Sequence, residues 1–468
     1  MKNSKLARIL FVLKSEELKQ FESYLKSKII EKTAPLWVFF LLIKKQLAQK
    51  EEAVWEKEFL FQKIFPKQSF QDGKMRRLMH ELWLELEEFI IFQQKKKDFE
   101  KEIYLLDFYY EHYLTKEFQE SLERLILELQ NYSHPNLVYW KAVEKVELYK
   151  SYAIAMNYVY KDNMNLHKVL ESQITVFFIQ QLKYSFFLYA NQFYSKEKYT
   201  PPFLHNILTE VKRNPLWLEN ELLSVYYYAV RMFLEEDFEA FVNLRKMVQV
   251  QTPILSFSDW AALAFGLRNF ANYLKNKNSE FISICFELYL EHISMGFVFS
   301  NNHISPQAVV NVCNMGIELK EIAKVEKFLE ESEQYFPPSI KENLSLLCHA
   351  YIAYSKSDYE EALKTLLIVE KFEHFTFELD VRTLKVKVFY EMKEMDLCIH
   401  QLNAFQVLTH RHKKMTQEQK VKYQTFCRIM LKCCQLNPNE ATEKAQLLEQ
   451  VKNTSPLPYK NWILSLLT

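Results

Sequence analysis

The residues best suited to act together in this chain lie towards its C-terminal end: His400, His410, His412, Cys427, Cys433 and Cys434. A protein zinc site usually joins one C-x₂₋₄-C pair to a second close pair, because four ligands must converge tetrahedrally. These spacings do not supply that. The cysteines read as small core residues, the histidines read as part of a polar turn before Thr416, and no metal is expected. Glu111-His112 and Glu291-His292 lack the second histidine, one helical turn on, that an H-E-x-x-H site needs. No serine or cysteine stands in the glycine-flanked elbow that exposes a nucleophile. Carboxylate pairs such as Glu330-Glu331 and Glu360-Glu361 read as solvated helix faces. The expectation is a non-enzymatic protein without a cofactor, with an all-helical enzyme as the third reading.

Composition narrows the elements that could position any site. Only four glycines occur in 468 residues, Gly73, Gly266, Gly296 and Gly316, where ordinary usage would give roughly thirty. Phosphate loops, hairpin turns and strand bulges need residues at positive φ or close backbone approach, and glycine supplies both. Neither G-x-x-x-x-G-K-[ST] nor G-x-G-x-x-G is present, which disfavours an α/β nucleotide-binding enzyme. Helices joined by short polar turns have less need of glycine. The chain is long for one compact core, so several domains or an elongated array are expected.

The helical pattern is direct. In Gly73–Gln93, Leu78, Met79, Leu82, Trp83, Leu86, Phe89 and Ile90 recur at helical spacing, opposite Arg76, Arg77, Glu81, Glu85 and Glu88. Similar stripes run through Leu6–Leu13, Glu16–Ile30, Pro35–Gln49 and Val54–Phe65. Residues 1–95 are thus expected to form a small helical N-terminal domain. From 96 to 468 one unit repeats. In its clearest copy, Ala350–Leu367, a helix ends near Tyr354, the turn "SKSD" follows, and a second helix presents Tyr359, Ala362, Leu363 and Leu366. Thirty-six residues on, Tyr390, Cys398 and Leu402 repeat the plan. An earlier copy aligns Tyr113, Glu117, Phe118, Ser121, Leu122 and Leu125 without a gap. Weaker copies surround Tyr194, Phe233 and Leu319. A small residue at Ser121, Ala362 or Cys398 lets paired helices approach closely. This layout resembles the tetratricopeptide repeat (TPR), although the glycine of the TPR first helix is absent. Prolines 135, 215, 253, 306, 337, 338 and 438 fall between helices, and Tyr459–Leu467 reads as a capping helix. The expected fold is all-α: a right-handed α-solenoid of TPR-like antiparallel pairs after the N-terminal domain.

The first 95 residues also resemble an uncharacterised family of helical proteins common in Bacteroidota. The resemblance rests on Glu17, Leu18, Phe21 and Leu25, then on Leu60, Phe61, Phe65, Pro66, Arg77, Leu78, Met79, Leu82, Leu86 and Phe89, and more weakly on the terminal "YKNWILSLL". His80 departs from the family's serine, and "SKIIEKTAP" replaces its usual turn. The resemblance implies a helical fold and a cytoplasmic bacterial protein, and brings no activity or ligand.

Charge sets the partner class. Sixty Lys and Arg against 59 Asp and Glu leave no global field to attract a polyanion. The most apolar run, Leu36–Ile43, is far shorter than the ~20 residues of a membrane span, so no membrane insertion is expected. Lys74, Arg76 and Arg77, with Lys95–Lys97 and His410–Lys414, are local basic runs. They support the alternative of a ligand- or peptide-responsive regulator whose N-terminal domain contacts DNA, against which Glu81, Glu85, Glu87 and Glu88 follow closely. The leading expectation is a scaffold or adaptor that binds protein or peptide segments on the concave face of the array. The three rings of Tyr226–Tyr228 cannot share one direction on a helix, so at least one should face out or line a groove.

Overall fold

The computed structural model describes the chain apart from residues 1–3, 14, 29–33, 50–55, 96–98, 157–165, 193–198, 370–374, 413–414, 416 and 437–440. Ile30, Val54, Lys96, Lys97, Tyr194, Lys413, Lys414, Thr416 and Pro438, named above, therefore lie outside the described residues. Among the described residues the protein is all-helical apart from one hairpin of two two-residue strands. It divides into two compact units, Met1–Val176 and Phe177–Thr468.

In the first unit, α1 (Lys5–Val12), α2 (Ser15–Lys28), α3 (Pro35–Gln49), α4 (Lys57–Ile64) and α5 (Asp72–Lys95) enclose one apolar cluster. The stripe on α5 explains why. Leu78, Leu82, Leu86 and Phe89 are buried, while Arg76, Arg77 and Glu81 face water. A second cluster is built by α6 (Glu100–Glu111), α7 (Thr115–Gln130) and α8 (Leu137–Met156) around Leu106, Phe118, Leu125 and Tyr149. The boundary expected near residue 95 falls inside this unit, between its two clusters. Helix α9 (Leu166–Gln192) carries the chain into the second unit.

The second unit continues with α10 (Leu204–Arg213), α11 (Glu221–Leu234), α12 (Phe238–Val250), α13 (Phe257–Lys277) and α14 (Ile282–Ser294). Then come α15 (Pro306–Glu318), α16 (Ile322–Ser332), α17 (Lys341–Ser355), α18 (Tyr359–Ile368), α19 (Phe375–Glu391), α20 (Met395–Arg411), α21 (Gln417–Gln435), α22 (Ala441–Asn453) and α23 (Lys460–Leu467). From α11 to α21 each helix packs on the next, as α22 packs on α23; α15 also touches α17, as α17 touches α19. Among the described residues no helix is long and apolar enough to cross a membrane.

The turns correct the glycine argument. Among the described residues ten non-glycine residues adopt positive φ, against Gly296 alone of the glycines. Five share one place, directly before the start of a pair's second helix: Tyr113, Glu236, Lys320, Ser357 and Lys393. In four of them the next amide reaches back to the preceding helix: Leu114 to Tyr109 O, Glu321 to Gly316 O, Asp358 to Ala353 O and Glu394 to Phe389 O, at 2.7–3.0 Å. This is a Schellman cap whose last residue is also the cap of the next helix. The hairpin β1 (Phe299–Ser300) and β2 (His303–Ile304) likewise turns through Asn301 and Asn302, both at positive φ, so asparagine does there what glycine usually does. An L-residue in this region costs about 1 kcal/mol more than glycine, while glycine's extra freedom in the unfolded chain returns roughly 0.5. Lys393→Gly should therefore stabilise by about 0.5 kcal/mol in urea unfolding, and a loss of stability there would contradict this cap.

The shared turn also corrects one repeat. Tyr113 takes the place of Ser357, not of Tyr354, so the copy at Tyr113 is displaced by three residues, nearly one helical turn. Phe118, not Ser121, stands where Ala362 and Cys398 stand, four residues after the cap. Ser121 still faces the paired helix, donating to Glu102 Oε2 at 2.8 Å. At α15–α16 the same position holds Val325, and the small residue has moved to the first helix as Gly316. A Cβ there would lie 2.2 Å from Val325 Cγ2.

Candidate functional site

The structure disperses the residues with the most obvious chemistry. His400 and His410 are exposed on α20, Cys427 and Cys433 are buried in α21, and Cys434 is half-buried against Cys398. Among the described residues no three His, Cys, Asp or Glu side chains are grouped to hold a metal ion. Glu330, Glu331, Glu360 and Glu361 are exposed. His112 is exposed too, stacked on Phe108 with its Nδ1 2.9 Å from the Phe108 carbonyl. His292 is fully buried; Arg268 Nη1 donates to its Nδ1 at 2.8 Å. Burial, with the Arg268 and Arg245 charges, pushes this imidazole down to about 2, so it stays neutral. Glu291 beside it accepts from Arg245 and Gln249. Of the three tyrosines, Tyr226 and Tyr227 are buried, while Tyr228 is half-buried and lines a shallow cleft of about 240 Å³ with Lys212 and Arg231.

The basic residues of the first unit are interleaved with acids. Arg76 and Lys57 both hold Asp72, at 2.7 and 2.8 Å, Lys28 pairs with Glu85 and Glu88, and Lys44 pairs with Glu22. Lys74 lies over the Phe65 ring and donates to Gln68. These described pairs present mixed charge, not a continuous basic face.

The cluster with unusual physical chemistry is one that sequence reading passed over. On α19, Asp380, Thr383, Lys387 and Glu391 recur at i, i+3, i+7 and i+11, which places them on one side of the helix. Asp380, Thr383 and Lys387 are nevertheless buried. Tyr354 of α17, and Tyr459 and Trp462 at the start of α23, surround the Lys387 ammonium, with ring centroids 4.5, 5.0 and 5.1 Å from Nζ. The ring quadrupoles attract the cation, which makes no ion pair among the described residues. Burial pushes the Lys387 ammonium down to about 8, with Glu318 and Glu391 pulling it back up. Glu391 Oε1 accepts from Trp462 Nε1 at 2.8 Å and from the Tyr354 hydroxyl at 3.3 Å. Glu318 Oε1, on α15, accepts from Asn461 Nδ2 at 3.1 Å.

Two turns below Lys387, burial raises the Asp380 carboxyl to about 7 against the opposing charge of Lys422. Among the described residues its Oδ2 has no hydrogen-bond partner. Tyr423 and Tyr459 are both pushed up by burial and by the Asp380 charge beside them. Chemically, this face of α15, α17 and α19 offers carboxylate acceptors, the Tyr354 ring and a cation to the helix that lies on it. The occupant is α23, which reads those acceptors with an indole N–H and a carboxamide. A signal for the cluster existed: Leu379, Leu384, Val386, Val388 and Phe389 put apolar residues around most of α19, leaving its polar side no broad solvent face. No family model, curated protein or solved structure matches the chain.

Proposed function

We propose that the chain is a non-enzymatic interaction scaffold: a right-handed α-solenoid of TPR-like pairs whose first-helix face binds a helical segment of a protein partner. It works in a reducing cytoplasm, where its cysteines rest as thiols. One observation carries the reading. The first helices α15, α17 and α19 supply Glu318, Tyr354, Lys387 and Glu391, and these side chains hold α23 as they would hold a ligand helix. Ile463 and Leu467 of α23 are buried beside those polar contacts, which is the mixed apolar and polar pattern of helix-in-groove recognition.

The test uses a labelled peptide spanning residues 456–468, offered to the full chain and to its Trp462→Ala variant. Removing the indole breaks the bond to Glu391 and opens the cage, so the variant's own α23 competes poorly. Fluorescence polarisation should show the peptide binding the variant in the ~10 μM range while the wild-type chain excludes it. If neither chain binds it, and circular dichroism shows both folded, the face is not a helix-binding surface.

A further inference from the structure

The seven cysteines are all free thiols, and two sets of them meet. Cys313 and Cys348 face one another in the core, at 0 and 1% exposure. Cys398 and Cys434 meet at a half-buried place, with their sulfurs 3.5 Å apart. Cys398 lies in the first turn of α20 and Cys434 in the last turn of α21, two helices that pack together. A disulfide requires sulfurs about 2.05 Å apart, so closure needs roughly 1.5 Å of approach between elements already in contact. Cys433, next in sequence, points about 100° away around the helix and is only 5% exposed.

We infer that Cys434 and Cys398 form a peroxide-reactive dithiol, in which Cys434 is the attacking sulfur and Cys398 resolves it. The substrate class is hydrogen peroxide or a small organic hydroperoxide. The Cys434 thiolate attacks the distal peroxide oxygen, the O–O bond breaks, and water or an alcohol leaves once protonated. Cys434 is then a sulfenic acid. The Cys398 sulfur attacks Cys434 Sγ, the S–O bond breaks, and hydroxide departs with the Cys398 proton as water. Two thiols are oxidised to one disulfide and one peroxide is reduced, which balances atoms and electrons.

The division of roles follows from surroundings. Cys434 is the more accessible partner. Once it ionises, the Cys398 S–H beside it donates to the thiolate, which holds the Cys434 thiol below its ordinary range. Cys398 is fully buried and closed off from solvent on the other side by α19, with its sulfur 3.6 Å from the Val386 carbonyl. It can reach Cys434 but not free peroxide. Cys433 and Cys427 are pushed up to about 12 by burial and stay protonated. The link would tie residues 36 apart and join the first turn of α20 to the last turn of α21.

The experiment treats the native full-length chain with hydrogen peroxide, blocks remaining thiols, and maps the unreduced digest by mass spectrometry. The expected product is a 398–434 linked peptide pair in most molecules, with Cys313, Cys348 and Cys427 still reduced, and a Tm higher by roughly 5 °C from the closed loop. Cys398→Ala should leave Cys434 as a sulfenic acid that dimedone traps. Alanine suits that place because Ala362 occupies the equivalent, fully buried position in α18. The inference is overturned if wild-type Cys434 stays reduced while added glutathione is consumed. It is equally overturned if Cys434 joins another cysteine, or passes to sulfinic acid without linking to Cys398. The wild-type measurement decides the matter even where the variant folds poorly.

Discussion

Gly316→Ala should destabilise the second unit by about 2 kcal/mol, although alanine is the better helix former. Gly316 sits near the end of α15, where that helix crosses α16 and α14. An added Cβ would lie 2.2 Å from Val325 Cγ2 and 3.0 Å from the Phe286 ring, and both neighbours are buried. Overpacking of this kind costs roughly 1–3 kcal/mol, and a β-branched valine has little rotamer freedom to retreat. About 1 kcal/mol of helix propensity is returned, so a net loss of about 2 kcal/mol requires a clash near the top of its range. A contact this short puts it there. The second-site change separates this account from a general intolerance of the position. With Val325→Ala both positions would hold alanine, as Ala353 and Ala362 do at the equivalent places of α17 and α18, so Gly316→Ala with Val325→Ala should be more stable than the two single losses predict, by at least about 1 kcal/mol. Urea unfolding of the four proteins gives the coupling directly, and strict additivity would remove the proposed contact.

The same pair of residues shows what a sequence can and cannot disclose here. The helices were legible because each buries a stripe at a 3.6-residue period: α3 spans Pro35–Gln49 as expected, and α5 starts at Asp72. Register between repeats was less legible, since sliding a helical pattern by three residues nearly restores it. That is how Ser121 could be matched to Ala362 when Phe118 occupies the place. The small residue is also not confined to one helix of the pair. Size is shared between the two sides of a crossing, as Gly316 with Val325 shows, and a single-position motif misses such an exchange. Positive-φ turns were hidden for a simpler reason. Tyr113, Ser357 and Lys393 carry no glycine-like signal, and the Schellman bonds that hold them there belong to the backbone. The α19 cluster was obscured because a buried Asp380 and Lys387 look, in one dimension, like the polar side of any surface helix. Only the arrival of Tyr459 and Trp462, far along the chain, makes that side an interior.

Asp380→Asn should stabilise the protein at pH 8 by about 2 kcal/mol and leave it almost unchanged at pH 4. The folded carboxyl titrates at about 7, while an unfolded aspartate titrates near 3.9. Between those values the native state holds a proton that the unfolded state has released, so this group contributes less stability as pH rises through the window. Complete loss of the preference amounts to a few kcal/mol at most, and an asparagine amide that finds one partner fewer gives back about 1. Lys387 has the opposite slope. Its ammonium titrates at about 8 against roughly 10.4 unfolded, so the native state sheds its proton first and stability rises from pH 8 upwards. Lys387→Met should remove that rise and gain stability at pH 7, since a buried charge without an ion-pair partner is replaced by a packed apolar chain. His292, held neutral to about 2, adds a rise of its own below pH 6.5. The decisive quantity is therefore the difference between variant and wild type measured across pH. A difference for Asp380→Asn that does not change between pH 4 and 8 would mean the carboxyl is not buried as an acid beneath α23. The expected dependence carries a further consequence for the face itself. Helix α23 covers an aspartate and a lysine whose burial weakens its seat near neutral pH, where an apolar surface would hold it more firmly.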